Sequence, residues 1–256
     1  MARVRAEYLI EAVALAAFMV SACVFGTLLF HASSPAQDTL AQPWMRRAMM
    51  GVLMGLTAVA IIYSPWGKRS GAHMNPALTL TFFRLGRIAP RDAAYYIAAQ
   101  FAGGIIGVLI GRLLVGMALG DPSVNYVVTR PGAGGILAAF AGELVISAVL
   151  MLTVLTTSAS PRTARFTGVV AGILIALFIT VEDPLSGMSM NPARTFGSAF
   201  IAGDWTAIWL YFTAPLAGMM LAAHAYLRVM RRPVPCAKIA HAEPCLFCEY
   251  SYRNES

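Results

Sequence analysis

The sequence predicts an all-α membrane protein with six transmembrane helices and two re-entrant half-helices in an inverted repeat. Three observations predict it. The first is composition: 58% of the 256 residues are hydrophobic and 12% are charged. A soluble domain carries roughly 25% charge and 45–50% apolar residues. The mean hydropathy of +0.68 says the same. The second is segmentation into apolar runs of membrane-spanning length. The third is an eight-residue stretch that occurs twice: Ser70-Gly-Ala-His-Met-Asn-Pro-Ala77 and Ser186-Gly-Met-Ser-Met-Asn-Pro-Ala193.

A bilayer core requires about 20 mainly apolar residues per helix. Six segments qualify, at about 8–30, 45–64, 92–115, 136–158, 166–182 and 205–229, with ends uncertain by a few residues. The first follows Arg3 and Arg5, as a signal peptide would, but it is longer than an h-region of about 7–15 residues. It is therefore read as a helix. Loops lie at 31–43, 120–135 and 158–165, where Pro, Gly, Ser and Asp gather.

The repeated stretches behave differently. Each has an Asn in N-cap position and a Pro at the first helical position. The apolar helix that follows, Ala77–Phe83 or Ala193–Ile201, is too short to span. These are the re-entrant half-helices. The two asparagines lie 116 residues apart. Glu11 opens the first long helix and Glu143 sits early in the fourth, so each half reads as helix with Glu, helix, half-helix, helix. Three spans per half is an odd number, so the second half runs in the opposite sense, about a pseudo-two-fold axis in the membrane plane. Repeat one covers about 7–115 and repeat two about 136–229. Residues 1–229 form the membrane domain and 230–256 a tail.

With the N-terminus inside, fourteen of the nineteen Lys and Arg fall inside. Four fall outside (Arg46, Arg47, Arg112, Arg130) and Arg194 lies in the second half-helix. That bias predicts a multi-pass protein of the cell membrane, plasma or inner, with both termini cytoplasmic. The net charge of +7 does not indicate nucleic acid, because the basic residues sit in loops between apolar runs. Gly103, Gly107 and Gly111 share one helix face and predict close helix packing.

Half-helices entering from opposite faces bring two N-termini together near the midplane, each with a partial charge of roughly +0.5. A cation is repelled there. Asn75 and Asn191 sit at those termini with amide donors. If both point into a narrow pore, one passing water accepts both hydrogen bonds and turns its own hydrogens outward, which breaks a proton wire. Arg194, three residues beyond Asn191, places a fixed positive charge at an outer constriction, a device that excludes protons and cations.

With these residues in place the chain resembles the aquaporin, or major intrinsic protein, family over about residues 7–229. The paired Asn-Pro-Ala boxes, the Arg194 that follows the second, and Glu11 with Glu143 carry the resemblance. It implies a pore in each subunit of a homotetramer embedded in lipid, and no enzymatic activity. It also implies that Glu11 and Glu143 bind backbone amides of the half-helix loops. Thr195, Ala199, Tyr211 and Phe212 resemble the water-selective branch. The implied outer filter of Met54, Ile179, Met188 and Arg194 departs from that branch, where an aromatic and a His are usual. Apolar Ile179 leaves room. The expected function is a passive channel for water and small uncharged solutes that excludes protons and ions. The alternative within the fold is a glycerol or neutral-metalloid facilitator. His73 resembles a residue of the inner vestibule, read as a hydrogen-bonded wall residue rather than a pH gate.

An ion-coupled transporter also uses broken helices. It usually places an ionisable group at the substrate site, whereas here the carboxylates sit at mirrored structural places. An enzyme lacks a nucleophile–base pair, with His31 and His224 isolated. Transport needs no cofactor. In the tail, Cys236, His241, Cys245 and Cys248 have the ligand types and Cys-x-x-Cys spacing of a zinc site. An unstructured tail or a redox pair is the alternative. Cys23 lies in an apolar run and reads as an inert core thiol.

Overall fold

In a computed structural model of the chain, residues 6–230, 233–240, 245, 247 and 248 are described. All regular structure among them is helical. Eight principal helices follow one another: α1 (Ala6–Phe30), α2 (Pro43–Tyr63), α3 (Pro76–Arg84), α4 (Pro90–Val115), α5 (Gly135–Ser158), α6 (Thr167–Val181), α7 (Pro192–Ala202) and α8 (Ile208–Ala225). α8 runs on through a wider turn, Tyr226–Met230. Helices α1, α2, α4, α5 and α8 are long and apolar enough to cross a membrane. α6, with 15 residues, is shorter than the 166–182 span expected. It rises about 22 Å and is followed by a separate turn, Asp183–Ser186.

α3 and α7 are the half-helices, of 9 and 11 residues. At a rise of 1.5 Å per residue they reach about 14 and 16 Å, half of a hydrocarbon core about 30 Å thick. Both begin at an Asn whose side chain caps the helix, followed by Pro. Asn75 accepts from the Ala77 N–H, and Asn191 from those of Ala193 and Arg194.

The packing is two-fold in pattern. α1 lies along α4 and α5 along α8, which are equivalent pairs. α2 lies along α6, its own counterpart. α7 packs on α4, as α3 packs on α8. Such pairing buries one face of each long helix and leaves Leu9, Leu113, Leu137 and Val145 among many apolar side chains on the outside, as lipid contact requires.

Small residues set the closeness of these pairs. A Cβ on Gly107 would stand 2.6 Å from the Ala16 carbonyl oxygen and 2.7 Å from Met19 Cβ. One on Gly103 would meet Ala12, and one on Gly111 would meet Cys23. The three-glycine face of α4 is thus its contact with α1. Gly104, one residue round, meets Ala193 and Gly197 of α7, so α4 holds α1 on one face and a half-helix on the next. Gly107→Val is expected to lower stability by about 1–3 kcal/mol through overpacking. Leu113→Val, 82% exposed, should shift it by no more than about 0.5 kcal/mol. Thermal denaturation of the detergent-solubilised protein separates the two.

Candidate functional site

The two half-helix loops are built alike. Gly71 (φ +98°) and Gly187 (φ +80°) open them in left-handed conformation, and Ala72, Met74, Met188 and Met190 continue with φ between 44° and 53°. Non-glycine residues occupy that region at a cost. Two buried carboxylates hold them there. Glu11 Oε1 accepts from the His73 N–H at 3.0 Å and from Ser70 Oγ at 2.8 Å. Its Oε2 accepts from the Met74 N–H at 2.7 Å and from Gln100 Nε2 at 2.9 Å. Glu143 Oε1 accepts from the Ser189 N–H at 2.6 Å and from Ser186 Oγ at 2.8 Å, and its Oε2 from the Met190 N–H at 2.7 Å. Both glutamates are fully buried. Each side chain therefore binds backbone amides of one half-helix loop.

Further mirrored pairs support the loops, and sequence reasoning did not single them out for it. Tyr96 OH donates to the Ser70 carbonyl at 2.7 Å, and Tyr211 OH to that of Ser186 at 2.5 Å. Thr79 Oγ1 lies 3.0 Å from His73 Nδ1, and Thr195 Oγ1 lies 2.6 Å from Ser189 Oγ. Thr79 and Thr195 are separated by the same 116 residues as the asparagines, a signal present in the sequence. Thr195 also meets Thr129 Oγ1 at 2.7 Å and is buried away from solvent. It ties a loop to α7. Likewise Tyr211 is a buried support, and Phe212 stacks on Phe101.

The loops are cross-tied at their ends. Asn75 Nδ2 donates to the Met190 carbonyl at 2.7 Å, and Asn191 Nδ2 to the Met74 carbonyl at 2.6 Å. The sequence reading placed one donor from each asparagine towards a pore. One hydrogen of each amide is committed to the opposite loop, and the amide's second hydrogen remains.

Both asparagines line one cavity of about 320 Å³, room for several water-sized molecules. Met54, Ile179, Met188 and Arg194 line it too, as does His73. Ile179 packs against both the apolar cluster that contains Met54 and the one that contains Met188, so it bridges the apolar lining at this end. Arg194 Nη1 donates to the Val127 carbonyl at 2.8 Å, which fixes the guanidinium. Arg47 and Asp183 join the lining at this end. At the other end stands His73, its Nε2 2.6 Å from the Ala237 carbonyl, so the proton is on Nε2. That end belongs to the face carrying both ends of the described chain, where Arg69 pairs with Glu7 at 3.0 Å.

The tail thiols also converge. Cys236 Sγ lies 3.3 Å from Cys245 Sγ and 3.5 Å from Cys248 Sγ. The three lie within 4.8 Å of one another, and none is disulfide-bonded. The hydrogen bond from Cys236 lowers the Cys245 thiol below the usual range, with Lys238 adding to the effect. His241, the fourth residue of the expected set, lies outside the described residues.

These features define an integral membrane protein in which two cross-tied half-helices meet beside a single cavity. A family profile described as Major intrinsic protein matches residues 3–226, and the chain belongs to that family. Among relatives, the Oryza sativa protein "Aquaporin NIP1-3" is 37% identical over 68% of this chain and 59% of its own length. The Arabidopsis thaliana protein "Probable aquaporin NIP7-1" is 32% identical over 72% of this chain and 66% of its own length. The chain thus spans somewhat less than two thirds of these relatives. The aquaglyceroporin from Plasmodium falciparum superimposes with a TM-score of 0.72 over 88% of this chain and 96% of that one. At 18% identity it shares the fold.

Removing a glutamate should release its loop. Hydrogen bonds to a charged group contribute about 1.5–3 kcal/mol each. Glu143→Ala is therefore expected to destabilise by at least about 3 kcal/mol, and Glu143→Gln by less, because the amide keeps one acceptor. Near-UV circular dichroism during thermal unfolding checks the order.

Proposed function

We propose that the protein is a passive channel for water and small uncharged hydroxylated solutes, and that it refuses protons and ions. The observation that carries this is that apolar Met54, Ile179 and Met188 share the cavity lining with Arg194, whose guanidinium is held by the Val127 carbonyl. A solute with hydroxyls on one side and carbon on the other suits such a constriction. Its oxygens face Arg194 and the amides, while its carbons slide along the methionines and the isoleucine. Water fits the same path. A neutral trihydroxy metalloid has the same donor pattern and shares this reading.

Ion refusal has three supports. The N-termini of α3 and α7 point a partial positive charge at the cavity. Arg194 adds a full one. Cation passage would also require acceptors around a shed hydration shell, and two of the central carbonyls, those of Met74 and Met190, are already bonded to the asparagines. No step calls for a cofactor. We further propose a homotetramer, each subunit with its own pore, in a cell membrane with both termini cytoplasmic.

The filter assignment has a direct check. Ile179→His narrows and polarises the apolar wall. Glycerol flux into reconstituted vesicles should fall at least about fivefold, which corresponds to about 1 kcal/mol on the barrier. Osmotic water flux should stay within about twofold. Stopped-flow light scattering reads both, and equal loss of the two fluxes would contradict the assignment.

A further inference from the structure

The tail is seated in the pore mouth. Ala237, Lys238, Ile239 and Ala240 are all buried, and Ile239 forms part of the wall of the pore cavity. The Ala237 carbonyl takes the His73 Nε2 proton, and the Ile239 N–H donates to the Gly71 carbonyl at 3.3 Å. Phe247 stacks on the His73 ring at 5.6 Å and 8°, on a ring that also stacks with Phe82. It meets Tyr96 edge-on at 5.7 Å. The tail thus rests on the loop that carries the first half-helix. Its peptide occupies the hydrogen-bonding edge that His73 would otherwise offer to the cavity.

A short peptide stays in such a place only if something offsets the entropy of ordering it. On one side its seat is incomplete: a cleft of about 350 Å³ lies between Pro233–Cys236 and the loop at Ser158–Ala164. The three cysteines stand next to this seat. Their sulfurs, 3.3 and 3.5 Å from Cys236 and all within 4.8 Å, are too far apart for a disulfide, which needs about 2.05 Å. They are close to the spacing of about 3.8 Å that tetrahedral thiolates adopt around an ion with metal–sulfur bonds of about 2.3 Å. A redox pair would use two thiols and leave one out. Here three converge, with the cation of Lys238 two residues from Cys236.

We propose that Cys236, Cys245 and Cys248 bind one thiophilic divalent cation, of which zinc is the type, and that this ion clasps the tail over the pore mouth. Binding displaces to solvent whatever protons the thiols still carry, forms three metal–sulfur bonds and transfers no electron. The fourth position falls to water or to a ligand outside the described residues. The metal-loaded protein is closed and the metal-free protein is open. The gating half of this rests on the channel reading above, whereas the metal site does not.

The test uses the full chain, purified without a metal-affinity tag and loaded with zinc. Metal per chain is counted by mass spectrometry, and glycerol flux is followed in vesicles with and without a membrane-permeant chelator. The expected results are about one zinc per wild-type chain and less than about a tenth in Cys245→Ser. Flux should rise at least about fivefold on chelation or in that variant. Phe247→Ala should keep its zinc yet conduct faster, because it unseats the tail without touching the thiols. A wild-type chain without metal, or Cys245→Ser with undiminished zinc, overturns the site. So does a metal-free chain whose flux answers to thiol oxidants, which would make the cysteines a redox pair. Bound zinc with a flux that ignores chelation, in a protein that conducts, overturns the clasp and leaves the channel reading intact. Bound zinc with no flux in any form overturns the channel reading and the gate while the site stands.

Discussion

Two buried carboxylates hold this structure in its working form. Each half-helix loop contains left-handed non-glycine residues, which cost about 1–3 kcal/mol apiece. No loop of that shape persists in an apolar interior unless its amides are satisfied. Glu11 accepts four hydrogen bonds and Glu143 three, each contributing about 1.5–3 kcal/mol. The attraction outweighs the strain. It does so because each carboxylate is completely enclosed by the donors it serves. Removing the acceptor would leave both a strained loop and unpaired amides at membrane depth.

From this clamp the pore follows. Held loops point the N-termini of α3 and α7 at each other, and the cross-ties from Asn75 and Asn191 lock the two halves together. The repeat therefore supplies the scaffold. The function lies where the repeat is broken. At the same distance of 116 residues, Arg194 answers to Leu78, Met188 to Ala72, and Ser189 to His73, and all six line the cavity. One end thus carries a fixed cation beside methionine and isoleucine. The other carries an imidazole whose outward edge is taken by the tail. On the function proposed above, a symmetric device has acquired two unlike mouths, one that chooses solutes and one that the tail covers.

Much of this was legible in the residues alone. Asn-Pro at the start of a nonspanning helix states a cap, and its recurrence at a fixed distance states a half-helix pair. A glutamate early in the first long helix of each half marks the repeat, and the family resemblance implies its structural role. What escaped was of two kinds. Gln100, Tyr96 and Thr79 act through contacts between helices that composition does not reveal. Only the 116-residue spacing of Thr79 with Thr195 follows the repeat, since Tyr96 and Tyr211 lie 115 residues apart, and hydroxyl side chains are too common for such a match to stand out. The asparagine cross-ties escaped because a side-chain amide has two hydrogens, and nothing in the sequence says that one is taken by the opposite loop. Thr195 and Tyr211 were legible as residue types, but their burial sends them to loop support rather than to the solute path. The cysteine cluster was visible, whereas its position at the pore mouth depends on how the chain after α8 folds back, which local pattern does not encode.

The central claim is that the cross-tied half-helices let uncharged molecules pass while refusing charge. Vesicles containing the metal-free protein and a trapped pH-sensitive dye test it most directly. An osmotic step should drive water and glycerol across well above the rate of empty vesicles. A pH step in the same preparation should leave the dye signal decaying no faster than in empty vesicles. Proton leakage that rises in step with solute flux would contradict the account.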